Sequence, residues 1–398
     1  MARRAAPRVY FLLMVAVLRF LLAVFLATSY QATPHAQESF EQIAKKAQEA
    51  RTSDHLSDAI ALYAQAVRLR PSWTAGWWSL GSLLYDQDRF SEAQDAFAHF
   101  VKLSSRPGPG YAFLALCEYE NRDYGGALEH FQVWSKYGSP GNDALLDVAG
   151  FHWALLLTRE GRFNEALYLL AAKAQKLGGT SAIVEAMGLA SLRMKNLPEN
   201  YPVERREEVW LTGKSAFYST AREPRRASEY ADKLLAHYSS EPNVHYFRGT
   251  LLEFQKEYAA AEKEFEQELS LNPQNDAAMV ELSLVKIEDF QAPEAKPLAQ
   301  RAVALEPRNA RAHYALGRAM LETRSLPEGA SELEVARQLA PESSVIRFSL
   351  AKAYEALGRK SDAQQEYAVF RKLEEKENAS ARPPQRGISQ KASEGSKP

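Results

Sequence analysis

Small side chains recur along this chain at a constant phase. Ala59, Ala93 and Ala127 fall 34 residues apart, as do Ala227, Ala261, Ala295, Gly329 and Ala363, with Ala166 between the two series. Twelve residues before each stands a second short residue: Ala47, Gly81, Ala115, Ala154, Ser215, Gly249, Ser283, Gly317 and Ala351. Four residues after comes a larger one in most copies, namely Tyr63, Phe97, Phe131, Leu170, Phe265, Leu333 and Tyr367. Apolar pairs at i, i+4, such as Leu80 and Leu84, mark helices. Pro71, Pro273, Pro307 and Pro341 close four copies at one phase; proline has no amide to donate and clashes with the preceding turn, so it stops a helix. The pattern predicts antiparallel helix pairs, with small side chains where the backbones approach and large ones filling the grooves beside them. One such pair cannot cover its own apolar face, so the copies must stack.

Nine hairpins are expected, at 40–73, 74–107, 108–141, 147–180, 208–241, 242–275, 276–309, 310–343 and 344–377. In the second, Trp77-Trp78-Ser79-Leu80-Gly81 precedes Ala93 and Phe97. Gly249, Tyr258, Ala261, Phe265 and Pro273 repeat the later half of that motif, as do Leu316-Gly317 with Leu333, Ala336 and Pro341, and Leu350 and Tyr354 with Gly358, Ala363 and Tyr367. These residues resemble the tetratricopeptide repeat (TPR), W-x2-L-G followed by A-x3-F, and the resemblance spans roughly 40–377. It implies an all-α fold: an α-solenoid, wound as a right-handed superhelix, of about nine TPR helix hairpins.

The pattern lapses between 181 and 207. Ser181 to Met194 reads as a first helix built around Gly188, but no partner follows it. Pro198 and Pro202 forbid a continuous helix in the stretch after it. The segment 181–207 is therefore expected to be an unpaired helix and a proline-containing loop. It forms an irregular seam between N-terminal repeats at 40–180 and C-terminal repeats at 208–377. The last residues, 378–398, carry few large apolar side chains and several prolines and serines, the composition of a disordered tail.

The first residues read as an address. Arg3, Arg4 and Arg8 precede an apolar run from Tyr10 to Ala27, interrupted by Arg19 and closed by polar residues from Thr28 onward. A basic start, an apolar centre and small residues behind it describe a secretory signal over 1–36. The rival reading is an uncleaved N-terminal membrane anchor at 10–27, and Met14 is an alternative start that makes better sense of Arg19. Either way the repeats are expected to be exported: periplasmic or extracellular, or held at the inner membrane by 10–27.

Composition removes several other functions. The 398 residues carry 49 Lys and Arg against 50 Asp and Glu, so no basic excess points to nucleic acid. One cysteine, Cys117, excludes an internal disulfide and a cysteine-built zinc site; its phase puts it where paired helices approach, as a small buried residue. The eight histidines form no H-E-x-x-H and no close pair, and there is no G-x-S-x-G elbow or phosphate-binding glycine loop. His245 and His313 take the place of the repeat's tryptophan and read as packing residues. The chain is expected to be no enzyme, with no cofactor and no metal.

Binding is what remains. In the TPR family the fifth, ninth, twelfth and thirteenth positions of each repeat line a concave groove. Carried over, the resemblance implies groove aromatics at Trp78, Phe151, Tyr246, Tyr314 and Phe348, with Tyr85 and Tyr119 at the twelfth position. Toward the C-terminus the same face turns basic with Arg311, Arg318 and Lys352, suited to a carboxylate. The family's clamp for chaperone tails is absent, since Ala44, Gln48, Trp78 and Ser82 stand where lysine and asparagine are needed. The function expected is a non-enzymatic protein–protein interaction scaffold in the cell envelope. It holds a protein or peptide partner in the groove, binds no nucleic acid, and meets the membrane only through an uncleaved leader. The alternative is an accessory or substrate-binding subunit of an envelope enzyme complex.

Overall fold

The computed structural model describes residues 39–138 and 143–381; the expected leader at 1–36 lies outside the described residues. Among the described residues are nineteen α-helices and no strand. They are α1 (Phe40–Thr52), α2 (Leu56–Leu69), α3 (Thr74–Tyr85), α4 (Phe90–Leu103), α5 (Gly108–Glu120), α6 (Tyr124–Tyr137), α7 (Asp143–Arg159), α8 (Phe163–Leu177), α9 (Ser181–Ser191) and α10 (Arg206–Thr220). There follow α11 (Pro224–Tyr238), α12 (Val244–Phe254), α13 (Tyr258–Leu271), α14 (Asp276–Glu288), α15 (Ala292–Leu305), α16 (Ala310–Glu322), α17 (Leu326–Leu339), α18 (Ser344–Ala356) and α19 (Lys360–Ala381). The fold is an all-α solenoid of helical hairpins. The chain divides into two compact units, and the division falls between Ala149 and Gly150, inside the span of α7.

The expected packing rule operates residue by residue. A Cβ placed on Gly81 would press on the Phe97 ring at 3.0 Å, and Gly249 faces the Phe265 ring in the same way. Where the small residue is serine it does more: Ser215 Oγ donates to the Ala227 carbonyl at 2.7 Å, and Ser283 Oγ to that of Ala295 at 3.0 Å. Phe97, Phe131 and Phe265 are fully buried behind these contacts, each stabilising its hairpin by about 1.5–3 kcal/mol.

One turn closes each first helix. A single residue adopts positive φ, as at Asp88, Arg122, Arg222, Lys256 and Arg324, and the amide after it reaches back five residues. Arg89 N donates to Leu84 O at 2.9 Å, and Glu257 N to Leu252 O at 2.9 Å. These bonds satisfy carbonyls that the helix end would leave bare.

Helix α9 ends with that turn too, Met194 N donating to Leu189 O at 2.9 Å. The sequence leaves it without a following partner; the structure gives it one across the proline loop. Helix α10 packs antiparallel on α9 at contact distance. A Cβ on Gly188 would overlap the Val209 carbonyl oxygen, and one on Gly213 that of Val184. The same α10 also pairs with α11, so the loop at 195–205 replaces a second helix and two first-type helices lie directly together. The loop is held by Asn200 Oδ1, which accepts from Leu197 N at 2.8 Å, and by Tyr201 Oη, which donates to Glu185 at 2.6 Å. At the other end α19 continues to Ala381, four residues past the expected end of the repeats, and the rest of the expected tail lies outside the described residues.

Candidate interaction surface

In the first unit the candidate aromatics lean on each other. Trp78 meets Phe97 edge-on at 5.6 Å, Phe113 edge-on at 5.5 Å and Phe100 at 5.0 Å; Tyr85 meets Phe90 and Phe113 edge-on. Tyr119 lies 5.6 Å from Tyr124. All three remain half-buried. Burial pushes the Tyr85 hydroxyl up to about 12, and the Cys117 thiol, fully buried, is likewise pushed up to about 12. A thiol so placed is inert at neutral pH.

In the second unit the candidates separate. Tyr246 and Tyr314 are 7% and 8% exposed and belong to the core. Phe151 is half-buried beside His152. Phe348 is open, resting on Phe370 at 5.2 Å and Tyr367 at 6.0 Å, with the Lys352 ammonium 4.9 Å from its ring.

The positive charge expected from Arg311 and Arg318 is largely cancelled. Arg311 donates twice to the buried Glu281, Nε at 2.8 Å and Nη2 at 2.5 Å, and Arg318 Nη1 donates to Glu288 at 2.7 Å. Glu253 stands close enough to feel this group: burial, and then the Glu281 charge, push its carboxyl up to about 7. Of the three cations expected there, only Lys352 is left facing an aromatic ring instead of a carboxylate.

A cavity opens elsewhere. Where α9 takes the place of a regular hairpin, a hollow of about 280 Å³ forms between α8, α9, α10 and α12. Phe163, Leu167, Met187, Ala216, Phe247 and Leu251 give it an apolar floor, and Tyr246 borders it. Ser191, Ser219, Thr220, Thr250 and Asn164 place hydroxyl and amide groups around it. Arg193, at positive φ, lays its guanidinium 4.8 Å from the Phe163 ring and 5.5 Å from Tyr246. Phe254 stands over the edge, 72% exposed. An apolar hollow with a few polar groups at its rim anchors a side chain and fixes its direction.

Of the residues at this hollow, Tyr246 is the one the repeat register points to among the expected groove aromatics. Phe254 was findable, being the thirteenth residue of the hairpin at 242–275, a groove position in the TPR register. Arg193 stands five residues after Gly188 as Phe254 stands five after Gly249, so the same register reaches it once Ser181 to Met194 is read as a first helix, whereas Met187 falls at no groove position. Among the described residues no group of three His, Cys, Asp or Glu could hold a metal ion, and no helix is long and apolar enough to cross a membrane.

The tetratricopeptide repeat model matches residues 44–112, 79–143, 218–276 and 291–344, more than half of the chain. No curated protein matches. Among solved structures, MamA (residues 41 to the end) from Desulfovibrio magneticus RS-1 is 25% identical, over 44% of this chain and 98% of its own, with a TM-score of 0.36. YrrB, described as a TPR protein with an unusual peptide-binding site, is 22% identical, over 43% of this chain and 88% of its own, with a TM-score of 0.35.

Proposed function

The chain belongs to the tetratricopeptide repeat family, and on that premise we propose that it is a non-enzymatic scaffold of the cell envelope that holds a protein or peptide partner. Stacked hairpins of this family serve protein–protein interaction. The reading of the site rests on one observation, the apolar hollow between α8, α9, α10 and α12 with Phe254 exposed at its edge. A large side chain of the partner enters it, and Ser219, Thr220 and Thr250 meet the partner's backbone at the rim. Exposed aromatics beside such hollows supply much of the binding energy of an interface. The basic start and apolar run of residues 1–36 support export, with 10–27 either removed or kept as an anchor.

The test is crosslinking in intact cells with a photoreactive residue in place of Phe254. A defined adduct in the envelope fraction, lost when Ala216→Trp fills the hollow, is the expected result. Adducts that persist in the filled variant would remove the site; a chain found wholly in the cytosol would remove the location.

A further inference from the structure

Several arginines of the second unit are held by carboxylates of the chain itself. Arg205 is held by Glu208, Arg311 by Glu281, Arg318 by Glu288, and Arg337 and Arg347 share Glu366. Among the described residues of this unit Arg206, Arg301, Arg308, Arg324 and Arg371 have no carboxylate partner, and neither do Arg193, Arg222 and Arg225. The last three lie at the hollow or just beyond it. A second, wider hollow of about 980 Å³ opens between α11 and the end of α12, and it shares Ser219 and Phe254 with the first. Arg222, Pro224 and Arg225 line one side of it. Its acidic lining is mostly engaged: Glu229 accepts from Lys233 at 2.7 Å, and Asp232 pairs with Arg248 at 2.9 Å, leaving Glu257. Two free guanidiniums therefore sit on the far side of an exposed phenylalanine from an apolar pocket.

We infer that the partner segment is acidic: it lays a large apolar side chain in the inner hollow, passes Phe254, and sets carboxylates against Arg222 and Arg225 in the outer one. This rests on the scaffold reading above and adds its specificity. Guanidinium groups recognise carboxylates through paired N–H donors, and complementary charge at an interface chooses among partners more than it adds raw affinity. Arg311 and Arg318 cannot play this part, since carboxylates of the chain already occupy them. The selective cations are thus on the turns after α9 and α10 and at the start of α11 rather than on the face where the sequence places them.

The experiment uses the purified full chain and three fluorescein-labelled twelve-residue peptides, alike except that two leucines are flanked by Glu, by Gln or by Lys. Fluorescence anisotropy should rank them Glu above Gln above Lys, with the gap closing as salt rises. The double variant Arg222→Gln, Arg225→Gln should bring the Glu peptide down by about tenfold, to the level of the Gln peptide, and leave the Gln peptide unchanged. Equal binding of Glu and Gln peptides, both weakened by Phe254→Ala, would overturn the charge assignment and keep the hollow. Binding of none of them, binding indifferent to Phe254→Ala, or a dimer of this chain broken by Phe254→Asp would overturn both.

Discussion

His313 and Pro307 are joined by a 3.0 Å hydrogen bond from the ring Nε2 to the proline carbonyl, while Nδ1 lies 2.6 Å from Glu332 on the paired helix. Two other hairpins make the same bond with different chemistry. Trp77 Nε1 donates to Pro71 O at 2.8 Å, and Arg347 donates to Pro341 O through Nε at 3.1 Å and Nη2 at 2.9 Å. Each carbonyl lies just past the end of a second helix, where no intrahelical amide can reach it. In these three hairpins an N–H on a long side chain fills this place, and tryptophan is one way to supply it.

Replacing His313 by Phe keeps the ring and removes both bonds, leaving Glu332 and the Pro307 carbonyl without this partner. The expected loss is about 1–3 kcal/mol. His313→Trp should recover part of it through the indole N–H. In a stack of nearest-neighbour contacts the damage stays local, so hydrogen exchange should quicken in α15, α16 and α17 and remain unchanged in α1 to α4.

The junction of α9 and α10 is the tightest test of the irregular segment. Gly188→Ala puts a methyl group into the Val209 carbonyl, and backbone cannot yield as a side chain does. The helices must separate, at a cost of about 1–3 kcal/mol, and the hollow that α9 and α10 help to wall should deform with them. Urea denaturation followed at a tryptophan placed at Phe217 should show the loss, and Gly188→Ala should weaken peptide binding although it touches no ligand. Full stability in that variant would show that the two helices are not in close contact.

These particulars separate what the sequence could say from what it could not. The spacing of Gly81 to Phe97 and of Gly249 to Phe265 is fixed within one hairpin, so the pattern shows both the pair and the contact. Helix α9 was recognisable as a first helix from Gly188, yet its partner is a helix that the 34-residue period assigns to the next repeat. Periodicity allots each helix one role, and α10 has two. The cations failed for a related reason. Glu281 and Glu288 each stand 30 residues before the arginine they neutralise, on the preceding first helix. That offset becomes visible only when neighbouring first helices lie side by side.

Glu253 gives the second unit a pH dependence. Its carboxyl is raised from 4.5 to about 7, by burial and then by the Glu281 charge. Between those values the folded chain holds a proton that the unfolded chain has released, so stability falls as pH rises from about 4.5 to about 7 and stays reduced above it. Glu253→Gln cannot ionise. It should match the parent below pH 4.5 and be the more stable chain at pH 8, as measured by urea midpoints across that range. A parent and variant that diverge on the acid side instead would reverse the sign.

Phe290 ends the turn between α14 and α15 with φ of 62° and 94% of its surface exposed. Other repeats place a charged residue or glycine at this point, Lys256, Arg324 and Gly358 among them. A bulky side chain in the left-handed region crowds its own carbonyl by about 1–2 kcal/mol, and here it recovers almost nothing through burial. Phe290→Gly removes the crowding at the cost of a more flexible unfolded chain. The variant should therefore be more stable by about 0.5–1 kcal/mol, with an unchanged circular dichroism spectrum. Loss of stability on removing so exposed a ring would mean that something covers it in solution, and sedimentation of the parent would then show an assembly that the glycine variant lacks.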